Sequence, residues 1–122
     1  MKTPKDPRHQ RRIRIVKQLF SYSFVPQKNL LPKTRQIIKN LKLIDPQISQ
    51  AAPEWPIEKL NKIDLAILRL AVFELLVEKK EPPKVIIDEA VELAKEFGSE
   101  KSPKFINGAL GNIVKRQKLI TN

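Results

Sequence analysis

The chain has 122 residues, of which 41% are hydrophobic and 30% charged, the size and balance of one globular domain rather than of a disordered segment. It holds no cysteine, one histidine and three glycines, which excludes disulfide scaffolds, zinc ribbons and thiol nucleophiles and leaves no Walker A or dinucleotide-binding loop to be written. The formal charge is +11, and all of it lies in the first third: residues 1–42 hold 12 Lys and Arg against the single acid Asp6, whereas residues 43–122 hold 12 of each sign.

Such one-sided charge attracts a polyanion, and RNA, DNA and an anionic membrane all qualify. The alternative is a solubilising basic arm. The N-terminus lacks an apolar signal region, and Asp64, Arg69 and Glu74 interrupt the longest apolar run well short of a membrane span. A cytoplasmic location is therefore expected.

Ten prolines punctuate the chain, and the stretches between them read as helices. Residues 1–7 read as a flexible basic arm. A first helix is expected from about Arg8 to Phe24, with Ile13, Val16, Leu19, Phe20 and Phe24 on an apolar face. Arg8, Arg11, Arg14, Gln18 and Tyr22 fall opposite. Cations beside one ring suit single-stranded RNA, where phosphate meets charge and a base stacks on the aromatic. Tyr22 is the stacking candidate, or else a half-buried ring on a solvated face.

A second helix is expected from Lys33 to Ile44, and Asp45-Pro46 reads as the cap and first turn of a short third one. Trp55, between Pro53 and Pro56, reads as a packing anchor at a bend or as a stacking platform. Asp64 is expected to cap a helix from Leu65 to Glu78 that is apolar almost all round and so lies at the centre of a bundle. Arg69 within it needs an ion-pair partner. A helix from Lys84 to Phe97 ends at Gly98, and Ser102-Pro103 opens a last one to Lys118. Gly108 and Gly111 inside that helix suggest close packing against a neighbour. The expected fold class is all-α, with residues 8–52 as N-terminal helices and 53–122 as a C-terminal helical core of one domain.

No catalytic chemistry is legible. His9 has no nucleophile or orienting partner nearby in sequence, and Asp88-Glu89 point to different sides of a helix. A non-enzyme without cofactor or metal is expected.

Residues 82–110, PPKVIIDEAVELAKEFGSEKSPKFINGAL, resemble the signature of the NusB transcription antitermination family. Its V-x-I-[ND]-E-A-V-E-L-A-K-x-[FY]-G and S-x-K-F-[VI]-N-G-[VA]-L elements stand in order from Val85 to Leu110. Upstream, WPIEKLNKIDLAILRLAVFELL (55–76) is similar to the family's W-x-[IL]…D-R-A-I-L-R-L-A stretch, and RHQRRIRIVKQLFSYSF (8–24) to its arginine-rich first helix.

This resemblance implies a compact bundle of about six helices, here with a shortened N-terminal half. It also implies an RNA-binding antitermination factor for ribosomal RNA transcription. The implied partners are a boxA-like single-stranded RNA, the NusE-type small-subunit ribosomal protein and the RNA polymerase antitermination complex, with monomer or homodimer left open. The implied RNA contacts are Arg8, His9, Gln10, Arg11 and Arg12, together with Lys101, Lys104 and Phe105; Phe105 reads equally as core. The implied partner contacts are Phe20, Glu58 and Asp64, the last competing with its capping role. Lys101 stands where the family often has an acid, which favours RNA. Two other readings are a stand-alone relative of the NusB-like domain of RNA cytosine-5 methyltransferases, and a helical adaptor that bridges proteins or binds DNA.

Overall fold

The computed structural model describes residues 6–119. Six α-helices follow in order: α1 (Pro7–Tyr22), α2 (Pro32–Lys39), α3 (Leu41–Ala51), α4 (Lys62–Phe73), α5 (Pro83–Phe97) and α6 (Ser102–Arg116). A 3₁₀ turn at Ile57–Lys59 precedes α4, and a π-helical turn at Glu74–Glu78 extends it. The described residues contain no strand, and the architecture is the expected all-α bundle.

α4 is the axis. Every residue from Asp64 to Phe73 is buried, because α1, α2, α3, α5 and α6 all pack against this helix. Ile67, Leu68 and Leu70 are among the fully enclosed side chains, each contributing about 1.5–3 kcal/mol through burial. Arg69 reaches the edge of this core and forks onto Asp45 of α3, Nε to Oδ1 at 3.0 Å and Nη2 to Oδ2 at 2.9 Å. Its expected ion pair is thus a tie between α3 and α4.

Local punctuation differs from the expectation in five places. Asp6 caps α1 by accepting from the Arg8 amide at 2.8 Å, so Asp6 and Pro7 belong to the helix start and not to an arm; residues 1–5 lie outside the described residues. Asp45 does not cap: α3 begins at Leu41 and runs through Pro46. The proline removes one backbone hydrogen bond, a loss of about 3 kcal/mol in a helix interior. Burial of Ile44 and Ile48 and the Asp45–Arg69 fork oppose that loss. Asn61, not Asp64, caps α4, accepting from the amide of Ile63 at 2.8 Å. Ser102 is the first residue of α6, and its hydroxyl accepts from the Ser99 amide at 2.9 Å instead of capping its own helix. Trp55 is no packing anchor, being 54% exposed.

The glycines also separate by role. Gly98 ends α5 with φ −91° and ψ −172°, ordinary extended backbone. Space explains it: a Cβ there would lie 2.5 Å from the Ser102 Cβ and 2.9 Å from the Ala94 carbonyl oxygen. Gly108 and Gly111 are exposed, and nothing stands within 4 Å of the Cβ each lacks, which corrects the expected close helix packing. Gly98→Ala should therefore lower stability by about 1–3 kcal/mol through overpacking. Gly108→Ala and Gly111→Ala should each raise it by about 0.5–1 kcal/mol. Urea denaturation of the three variants checks both signs.

Candidate nucleic-acid interface

α1 turns a different face inward from the one its apolar residues suggest. The buried positions are His9, Arg12, Ile15, Val16 and Leu19, whereas Phe20 and Phe24 are 37% and 61% exposed and Ile13 is half-buried. Two basic residues sit on the core side because carboxylates from the C-terminal half meet them there.

Arg12 is the hub. Its Nε donates to Glu74 Oε2 at 3.1 Å and its Nη2 to Glu74 Oε1 at 3.2 Å. Nη2 also bonds Glu81, and Nη1 lies 3.4 Å from Glu89. One guanidinium thus joins α1 to the π-helical turn, to the loop before α5 and to α5 itself. Burial works to lower the Arg12 pKa, but the carboxylates of Glu74 and Glu81 outweigh it and raise it. Burial pushes the Glu74 carboxyl up, against the pull of Arg12 and Lys33. His9 completes the clasp, with Nδ1 at 3.3 Å from Glu89 and Nε2 at 2.6 Å from Glu96. Both ring nitrogens face carboxylate oxygens of α5, so the ring ties α1 to that helix from both of its edges.

His9 and Arg12 are therefore not on the expected RNA-facing surface; they fasten the helix. Arg8 is exposed but shares Glu81 at 3.5 Å. Gln10 and Arg11 are exposed, as is Arg14. Lys17 is exposed too, and its Nζ lies 5.9 Å from the Phe97 ring centroid at the end of α5. The α5–α6 loop, with exposed Lys101, starts one residue beyond that ring, and exposed Lys104 follows in the first turn of α6. Lys17 thus links the outer face of α1 to the second expected basic region. Its place in the interface was not legible from the helix wheel, although it follows Arg14 by one turn with no acid nearby. Tyr22 is half-buried, and Phe105 is half-buried against the core.

The three expected partner contacts fare differently. Phe20 is exposed and meets Phe24 edge-on at 5.1 Å between centroids, an apolar patch at the end of α1. Glu58 is exposed in the 3₁₀ turn. Asp64 is only 8% exposed, with Oδ1 enclosed and without a hydrogen-bond donor, so it is not a surface contact. Burial pushes its carboxyl pKa up, partly offset by the Ser102 hydroxyl. The described residues contain no group of His, Cys, Asp and Glu arranged to hold a metal ion, and no helix long and apolar enough to cross a membrane.

Arg12→Ala should destabilise the fold by about 3–5 kcal/mol, because it strands buried carboxylates. Arg11→Ala, one residue away on the outer face, should stay within about 0.5 kcal/mol of wild type. Thermal and urea melts of the pair check this inside–outside division.

Known proteins place this geometry. The NusB family model matches residues 27–115, from the loop before α2 almost to the end of α6. The transcription antitermination protein NusB of Chloroflexus aggregans is 52% identical over 75 residues, 60% of this chain and 50% of that protein. That of Roseiflexus castenholzii is 51% identical over 77 residues, 62% of this chain and 54% of that protein. The chain thus spans about half the length of these relatives. Among solved structures, T. maritima NusB superposes with a TM-score of 0.78 at 37% identity, covering 94% of this chain and 93% of that one. A protein chain in a crystal structure of a plectonemic RNA supercoil gives the same TM-score at 24% identity, a likeness of fold alone. With most of its length matched by the family model, the chain belongs to the NusB family.

Proposed function

We propose that the chain is a non-catalytic, RNA-binding transcription antitermination factor that acts in the cytoplasm as a single domain. It binds a boxA-like single-stranded RNA together with a NusE-type ribosomal protein during ribosomal RNA transcription. The observation that carries this reading is the division of α1. Its inner guanidinium, Arg12, is neutralised by Glu74, Glu81 and Glu89, while Arg11, Arg14 and Lys17 stand exposed without an ion pair among the described residues. Fixed, unpaired cations on a rigid helix are what a phosphate backbone needs. Lys17 over Phe97 carries the positive edge toward Lys101 and Lys104, and Phe105 and Tyr22 offer partly open rings for stacking.

The apolar Phe20–Phe24 pair, with exposed Val25 beside it, supports a protein partner at the other end of the same helix. RNA and protein would then share α1.

Fluorescence anisotropy with a boxA-like single strand tests the reading. Binding should weaken with salt at a log–log slope of about −0.7 per phosphate neutralised. Arg11→Glu with Lys104→Glu should reduce affinity at least about tenfold without loss of helicity, and a scrambled oligomer should bind more weakly than boxA. Equal binding of both oligomers, or a variant that binds as wild type, would overturn it.

A further inference from the structure

The free charge of the N-terminal third does not all lie on α1. Ten Lys and Arg occur in residues 7–44, with no acid among them. Arg8, Arg12 and Lys33 form ion pairs with carboxylates elsewhere. Arg11, Arg14, Lys17, Lys28, Arg35, Lys39 and Lys42 form none among the described residues, and all seven are exposed. More than half of this unpaired charge therefore follows α1, in the loop before α2 and on α2 and α3.

The later cations form a face. Thr34, Ile37, Ile44 and Ile48 turn inward. Arg35 and Lys39 are four residues apart on α2, the spacing of neighbours on one helix side, and Lys42 follows in the first turn of α3. The chain bends at Asn40, where α2 ends, and α3 starts afresh with the Ile44 amide donating to the Asn40 carbonyl at 2.9 Å. Arg35 is steadied by an Nη1 bond to the Leu30 carbonyl at 2.7 Å, which leaves its other nitrogens outward. Lys39 complements the C-terminal dipole of α2. Lys42, in the first turn of α3, gains nothing from the dipole of that helix, and the like charges of Arg35 and Lys39 repel at their spacing.

This face continues from one edge of the interface already described, since Arg11 precedes Gln18 by seven residues, about two helical turns, and so lies on the flank of α1 that carries α2. The Gln18 carboxamide oxygen accepts from the Leu31 amide at 3.0 Å and from Thr34 Oγ1 at 2.7 Å, which seats α2 on α1. His9 holds the α5 side. Nine residues are two and a half helical turns, so Gln18 and His9 point to opposite flanks of α1. The α2–α3 cations and the α5–α6 loop consequently lie on opposite sides of that helix.

We propose that Arg35, Lys39 and Lys42 form a second RNA contact, which grips the phosphates of transcript flanking the strand held at α1. The inference rests on the RNA-binding reading above. Residues 26–44 contain no aromatic side chain to stack a base, so this contact is with the backbone and indifferent to sequence. It extends the footprint across α1 instead of reading further bases, and longer transcripts gain affinity that a minimal oligomer does not.

The test compares a single strand of about ten nucleotides with one of about thirty, a length beyond a typical single-strand site. The variant is Arg35→Gln with Lys39→Gln and Lys42→Gln, checked for an unchanged circular dichroism spectrum; Lys42→Gln alone serves if the triple variant is misfolded. With the long strand, the salt slope should fall by about 2 in the triple variant and about 0.7 in the single one. The short strand should show no change. Equal slopes for wild type and variant on the long strand would overturn the proposal, as would a loss confined to anionic phosphatidylserine vesicles. If wild type ignores the short strand yet the long-strand slope still falls in the variant, the boxA reading fails and the second contact stands.

Discussion

The structure depends on one buried guanidinium. Arg12 reaches Glu74 on the π-helical turn, Glu81 before α5 and Glu89 within α5. These are the three segments that α1 must touch to become part of the bundle at its N-terminal end. Buried ion pairs are seldom strong net stabilisers compared with apolar packing, but they are strict about geometry, and breaking one is expensive. Here that strictness sets the rotation of α1 about its own axis. With Arg12 and His9 inward, Arg11, Arg14 and Lys17 face outward; a modest rotation would bury the latter and expose the former.

The same constraint explains how a strongly basic segment lies on a bundle that must stay folded. Residues 43–122 are electroneutral by count, but their acids are not spread evenly. Glu74, Glu81, Glu89 and Glu96 gather under the N-terminal part of α1, and Glu78 holds Lys33 at 3.0 Å. This local neutralisation removes the repulsion that clustered cations would otherwise impose, and it leaves the outer cations free. A helix presented rigidly to RNA loses less conformational entropy on binding than a loose arm would.

Much of the fold was legible in the sequence. The apolar character of Leu65 to Phe73, broken only by Arg69, marks the central helix, and the need of Arg69 for a partner is met by Asp45. The caps are harder, because Asp45, Asp64 and Ser102 are all good capping types put to other uses: Asp45 pairs with Arg69, Asp64 is buried in α4, and Ser102 accepts from the nearby Ser99 amide. The face of α1 was misjudged for a related reason. The resemblance places His9 and Arg12 among the RNA contacts, and only the spatial meeting with acids more than 60 residues away turns them inward. Gly108 and Gly111 show the converse: a residue type suggesting tight packing stands on open surface. The basic region was legible as a region; which of its cations are free was not, because pairing is a property of three dimensions.

The central claim is that neighbouring arginines on one helix divide the work, one holding the helix and the others holding RNA. Arginine Nε–Hε resonances report each guanidinium separately. On titration with a boxA-like oligomer, the signals of Arg11 and Arg14 should shift and broaden while that of Arg12 stays in place. A shift at Arg12 equal to that at Arg11 would contradict the account, because it would mean that the clasp opens to the ligand and does not set the face that meets it.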